Sequence, residues 1–369
     1  AGVTVALLAP ESSVPVPELT EHAADSIELQ YVRSLPDAGD PLLERPVGVA
    51  VDGEHVYVAD SSAGVVRVFT VAGFAAGEIG RGTLDTPTYV TRDATAGTLL
   101  VTDRGRNAVF RFSTDGEELG DLTPSTDTTT AWEPLGITAD GEGLIAVTDV
   151  SERHRVLVMD RTGRVERTLG GPLGTEGPAG VVVALDFPNS VGFWGDELWV
   201  GDSNNQRVLV FGPQGELVRV VRVRGVARGL TFLDGETARF AALVDALSSE
   251  IVLLDANGEE VGRYGGPGNA AGKLAYPNDV AYDAGSSQLF VADTGNARVQ
   301  VWSVAWPGVS EGALGILSRA VLPPMLLAGL LLGLAGVVVL IATLWPRRRT
   351  AQELLPDGGS DSGTEDLEW

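Results

Sequence analysis

Six aspartates carry the densest chemical signal in this chain. Asp60, Asp103, Asp149, Asp202, Asp245 and Asp293 each end a short apolar run, in VYVAD, LLVTD, IAVTD, LWVGD, AALVD and LFVAD, at intervals of 43, 46, 53, 43 and 48 residues. Carboxylates returning at such a period admit two readings. Gathered around an axis they would hold a hard cation such as calcium, which asks for many oxygen ligands. Kept apart, an aspartate leading into a polar turn caps that turn with its own side chain. The second reading explains why the residue recurs in every unit, so the six are taken as structural turn aspartates. Other chemistry is scarce. The chain has no cysteine, which excludes a disulfide framework, a thiolate metal site and a thiol nucleophile. Its three histidines, His22, His55 and His154, share no ligand spacing. No catalytic residue, metal or cofactor is therefore assigned, and the protein is expected not to be an enzyme.

The elements that hold these aspartates repeat with them. Most units open on a proline: Pro46-Val47-Gly48, Pro87-Thr88-Tyr89, Pro134-Leu135-Gly136, Pro188-Asn189-Ser190 and Pro277-Asn278-Asp279. An alternating apolar strand follows, then a turn, the strand ending in aspartate, a polar turn, and a third strand such as RVLVF from Arg207 or RVQVW from Arg298. A fourth strand usually comes after a glycine turn, as in GELVRVV from Gly215. Period-two alternation, β-branched enrichment and Gly/Asn/Asp punctuation predict antiparallel strands. Four strands at a period of this length make one blade of a β-propeller.

The wording PNDVAYDAGSSQLFVADTGNARVQVW, from Pro277 to Trp302, resembles the NHL repeat, and PNSVGFWGDELWVGDSNNQRVLVF from Pro188 resembles it nearly as well. Other units depart from the pattern. Val65 and Ala108 stand where the family has arginine, Arg155 falls one residue late, and the fifth unit has no opening proline and puts Glu250 at the arginine position. The resemblance spans about Asp25 to Val304 and implies an all-β, six-bladed, NHL-like β-propeller. The last unit supplies only three strands. SIELQYVRSLP, from Ser26 to Pro36, is the expected fourth, so that an N-terminal strand closes the ring and leaves no sheet edge open between first and last blades. Propeller enzymes similar in fold, such as lyases and lactonases, place metal ligands or catalytic His and carboxylates at the channel mouth. Other similar propellers serve as extracellular sensor domains or as adhesion and scaffold modules.

A repeated scaffold puts its function in what the repeats do not share. The residues after each opening proline, or its equivalent, differ from blade to blade and are expected at one opening of the central channel. Asn189, Arg228, Asn278 and Asp279, with Tyr89, form the candidate set there for a peptide or small polar ligand. Two longer loops also break the repeat, 121–134 carrying Trp132, and 170–188. An exposed tryptophan would suit a protein contact, and core packing would serve equally.

The balance of 26 basic against 50 acidic residues, net −24, opposes a phosphate backbone, so nucleic acid is not an expected partner. From Leu322 to Trp345 the chain carries no charged residue, long enough for one C-terminal transmembrane α-helix. Arg347-Arg348-Arg349 follow it, which by the positive-inside bias places the C-terminus in the cytoplasm and the propeller outside the cell membrane. Gly329 and Gly333 form a G-x-x-x-G pair that would suit helix–helix contact, in a homodimer or a complex. The expected organisation is residues 1–25 a signal or anchor remnant and spacer, 26–304 the propeller, 305–321 a juxtamembrane linker, 322–345 the span in the lipid bilayer, and 346–369 a short acidic tail. A single lysine, Lys273, against abundant arginine is the usage of a GC-rich bacterial genome. Together these features predict a membrane-anchored extracytoplasmic binding or scaffold module with a protein or peptide partner.

Overall fold

Short β-branched runs cut by glycine and aspartate turns pair with their sequence neighbours, and that local pairing builds every blade. The computed structural model describes residues 27–36, 43–125, 132–171, 175–176, 182–235 and 238–306. The first strand is β1 (Glu28–Leu35). Blade 1 is β2 (Pro46–Val51), β3 (His55–Asp60), β4 (Val65–Thr70) and β5 (Ala75–Ile79); blade 2 is β6 (Pro87–Asp93), β7 (Thr98–Asp103), β8 (Ala108–Ser113) and β9 (Glu118–Asp121). Blade 3 is β10 (Pro134–Ala139), β11 (Leu144–Asp149), β12 (Arg155–Asp160) and β13 (Val165–Gly170), after which β14 (Thr175–Glu176) and β15 (Val182–Val183) form a small hairpin. Blade 4 is β16 (Pro188–Trp194), β17 (Glu197–Asp202), β18 (Arg207–Phe211) and β19 (Leu217–Arg222); blade 5 is β20 (Ala227–Asp234), β21 (Arg239–Asp245), β22 (Glu250–Asp255) and β23 (Glu260–Gly265). The last unit contributes β24 (Asp279–Asp283), β25 (Gln288–Asp293) and β26 (Arg298–Ala305).

The sixth sheet has the order β1-β26-β25-β24, so the N-terminal strand is the outermost strand of the final blade. It pairs antiparallel from Glu28 with Ala305 to Leu35 with Val299. The first strand of each blade is innermost, and these six strands touch in sequence around the ring, with β2 against β24 completing it. The protein is a closed six-bladed propeller, as its repeat predicts.

Its core is not one body but six apolar layers, one between each pair of neighbouring blades. The closing strand feeds two of them: Ile27 and Leu29 enter the layer between blades 5 and 6, and Leu35 enters the layer between blades 6 and 1. Trp132 is half-buried and packs on the layer between blades 2 and 3. The expected span at 322–345, with Gly329 and Gly333, and the flanking segments 1–25, 307–321 and 346–369 lie outside the described residues. Among the described residues no helix is long and apolar enough to cross a membrane.

Candidate functional site

The six aspartates do not converge. Each is at most 1% exposed inside its own blade, and each accepts hydrogen bonds from the backbone that leads into that blade. Asp60 takes the N–H groups of Glu44 (3.0 Å) and Arg45 (2.8 Å), and Asp103 those of Asp85 (2.7 Å) and Thr86 (3.1 Å). Asp149, Asp202, Asp245 and Asp293 take those of Glu133, Asp186, Val226 and Ala275. Turn capping is present too, as from Arg106 N–H to Asp103 and from Leu247 N–H to Asp245. The long-range bond is the larger structural role, because it ties the start of the innermost strand to the end of the second. Arginines complete the clamp: Arg155, Arg207 and Arg298 reach Asp149, Asp202 and Asp293 at 2.8, 2.7 and 2.7 Å. In blade 5, where Glu250 replaces the expected arginine, Arg263 from β23 approaches Asp245 instead, at 3.4 Å. Among the described residues no three His, Asp or Glu side chains gather as a metal would require.

The clamped segments deliver the mouth residues. Just after the start of β2, β6, β10, β16 and β20 the pairing register slips, at Pro46/Gly48, Pro87/Val90, Pro134/Ile137, Pro188/Ser190 and Ala227/Leu230. A bulge of this kind bends the strand and re-aims its side chains. Close approach of neighbouring blades is possible here because Gly48, Gly136 and Gly229 have no Cβ; one placed on them would meet the backbone of Thr88, Asn189 and Asp279 at 2.5, 2.5 and 2.4 Å. Hydroxyls stitch the same level: Thr102 Oγ1 donates to Leu135 O at 2.7 Å, and Ser61, Ser203 and Thr294 donate to Pro87, Ala227 and Pro46 of the next blade.

Four of the five predicted residues, Tyr89, Asn189, Arg228 and Asn278, line one cavity of about 410 Å³ at this upper mouth. Sequence reasoning missed Arg45, Arg104 and Tyr276, which line it as well. Arg45 and Arg104 stand in the turns joined to the clamped aspartates, Arg45 as a clamp donor and Arg104 directly after Asp103, so their signal was the clamp geometry itself. Arg228 Nη1 donates to Asn278 Oδ1 at 2.9 Å and Nη2 to the Tyr276 hydroxyl at 2.8 Å, with the guanidinium 5.0 Å from the centre of the Tyr276 ring. Asn278 in turn donates to Thr294 Oγ1 at 2.8 Å, and Asn189 donates to Ser203 Oγ at 3.2 Å. The two amides are thus held rigidly.

Tyr89 does something the sequence did not suggest. From blade 2 its hydroxyl crosses to the opposite side of the ring and donates to the carbonyls of Arg228 and Asn278, both at 3.3 Å. The ring is 5% exposed and lines both the upper cavity and a second one of about 220 Å³ beneath it. Tyr89 therefore partitions the channel, and burial pushes its phenol well above the ordinary range.

Asp279 corrects the predicted set: it lines the lower cavity, not the upper mouth. Its Oδ2 accepts from Val49 N–H of blade 1 at 2.9 Å, making it a seam residue. Burial raises its pKa from 3.8 to about 8, against the opposing pull of the Val49 and Val280 N–H groups. Between those two values the folded state holds a proton that the unfolded chain has released. Stability contributed by the neutral carboxyl is then full below about pH 4 and falls as pH rises through 8, by up to about 1.4 kcal/mol per pH unit. Asp279→Asn keeps an acceptor for Val49 and removes the titration. Urea unfolding of variant and wild type from mild acid to mild alkali is expected to show the variant gaining, by roughly a few kcal/mol across the window. A difference that stays constant with pH would contradict the neutral buried acid.

Comparison with known proteins agrees with this geometry. The NHL repeat family matches residues 132–159 and 274–302. Two units of the ring thus match the NHL repeat. The first of them is a unit whose arginine falls one residue late; the structure shows why it still conforms, since Arg155 reaches Asp149 at 2.8 Å. No curated protein matches the chain by sequence. Among solved structures, a streptogramin B lyase is similar with a TM-score of 0.52 and 16% identity over 76% of this chain and 98% of that one. A chain of a nidogen/laminin complex gives 0.51 and 19% over 64% and 93%. A Bacteroides thetaiotaomicron protein of unknown function gives 0.57 and 11% over 76% of each. At these identities the likeness is one of fold alone, shared with a lyase and with a chain of a nidogen/laminin complex alike.

Proposed function

We propose that this NHL propeller is a non-catalytic binding module, held outside a bacterial cell membrane by the segment 322–345 and presenting its upper mouth to a protein or peptide partner. The observation that carries the reading is the mouth itself. Its cavity joins a guanidinium, two fixed amides and an aromatic hydroxyl over a closed tyrosine floor, a surface of preorganised hydrogen-bonding groups. The two described histidines do other work: His55 sits at the start of β3 beside Asp52, and His154 accepts from Phe187 N–H in a turn. The uncharged run before Arg347 supports the tether, and Gly329 with Gly333 supports association through it. Extraction in mild detergent followed by mass spectrometry is expected to bring down a stoichiometric protein, and Arg228→Ala is expected to release it. A chain that purifies alone and carries a divalent metal at the mouth would favour a lyase or lactonase instead.

A further inference from the structure

We infer that the upper mouth is selective for a carboxylate, supplied by the end of a peptide chain or by an acidic side chain. The inference rests on the reading of this mouth as a binding site and names the chemistry it takes. Acidic residues outnumber basic ones by 50 to 26 in the chain, yet the cavity is lined by Arg45, Arg104 and Arg228 and by no aspartate or glutamate. Such an inversion of the protein's own charge is local and creates a positive opening on an acidic body.

The charge there is largely uncompensated. Among the described residues no carboxylate stands within ion-pair distance of Arg45 or Arg228, and Arg104 comes only to 3.9 Å from Glu133, with both side chains nearly half exposed. Arg228 is oriented by neutral groups alone, the Asn278 carbonyl, the Tyr276 hydroxyl and the Tyr276 ring, and its buried Nε has no acceptor among the described residues. A guanidinium oriented in this way keeps its charge and one further N–H on each Nη, and the natural counterpart of such a pair is a carboxylate. The shape restricts the ligand further. Because Tyr89 closes the floor, an extended chain cannot thread the ring, and about 410 Å³ admits a chain end or a single side chain but no folded element. A polyanion is disfavoured by the net charge of −24.

The test uses the full chain in detergent with three probes: N-acetyl-glycyl-phenylalanine with a free carboxylate, its C-terminal amide, and N-acetyl-glutamic acid α-amide. Isothermal titration is expected to show at least one acid binding about tenfold or more tighter than the neutral amide, with affinity falling as salt is raised. Preference for the first acid assigns the site to chain ends, and preference for the third to acidic side chains. Arg228→Gln should lose about that same factor while its thermal unfolding stays that of the wild type. Equal binding of acid and amide, or no binding of either acid, overturns the proposal. Carboxylate binding without any co-purifying protein would leave this pocket chemistry standing and remove the protein-partner reading. A stoichiometric partner that ignores all three probes would do the reverse.

Discussion

Deleting residues 26–36 is expected to leave the chain unfolded or aggregated, not merely shortened. The strand so removed is only eight residues long but, with the residue before it, carries Ile27, Leu29 and Leu35, at 2%, 7% and 0% exposure, into two different interblade layers. Each such side chain contributes about 1.5–3 kcal/mol by burial, against a net stability of about 5–15 kcal/mol for a typical domain. The loss also bares the outer edge of β26 and the buried Trp302 and Val304 beside it, an apolar template for pairing with a second chain. Circular dichroism and size-exclusion chromatography would read the outcome, and Leu35→Ala offers a graded version, expected to cost about 2–5 kcal/mol. A truncated protein that stayed monomeric with native melting would show that the ring closes by some other contact.

That closing strand was legible because the repeat left a gap for it. The sequence from Pro277 to Trp302 lays down three strands where the other units have four, and SIELQYVRSLP is the one unassigned alternating stretch inside the propeller's span. Blade count, strand order and the placing of Asn189, Arg228 and Asn278 at one mouth all follow from such local patterns, because each blade pairs with itself. What sequence could not supply was contact across the axis. Tyr89 meets Arg228 and Asn278, 139 and 189 residues away, and no periodicity encodes a side chain that spans the channel. Asp279 was assigned to the mouth by its neighbour Asn278, but successive strand residues face opposite ways, and it turned to the seam with Val49. Arg45 and Arg104 escaped notice because they belong to turns that look merely polar until the aspartate clamp fixes where those turns stand.

The clamp is where fold and site meet, and Asp293→Ala is expected to damage both. Its carboxylate accepts from Ala275 N–H (2.7 Å), Asn296 Nδ2 (2.8 Å), Arg298 Nε (2.7 Å) and Gln300 Nε2 (2.9 Å), with no exposure to water. Truncation leaves the buried Gln300 amide and the Arg298 charge without their shared acceptor. Losing one partner of a buried pair costs about 3–5 kcal/mol, tempered here because Arg298 retains the carbonyls of Asn269, Ala270 and Lys273. Asp293→Asn preserves the shape and some of the acceptors, so about 1–3 kcal/mol is expected for it. The urea midpoint measures both, and the same truncation at Asp160, whose carboxylate caps a more exposed turn, should move the midpoint far less. Ala275 opens the segment that carries Tyr276 and Asn278, the two residues that orient Arg228. A folded Asp293→Asn protein should therefore also bind carboxylate probes more weakly, although residue 293 touches no ligand. Weakened stability with unchanged binding would separate the clamp from the mouth.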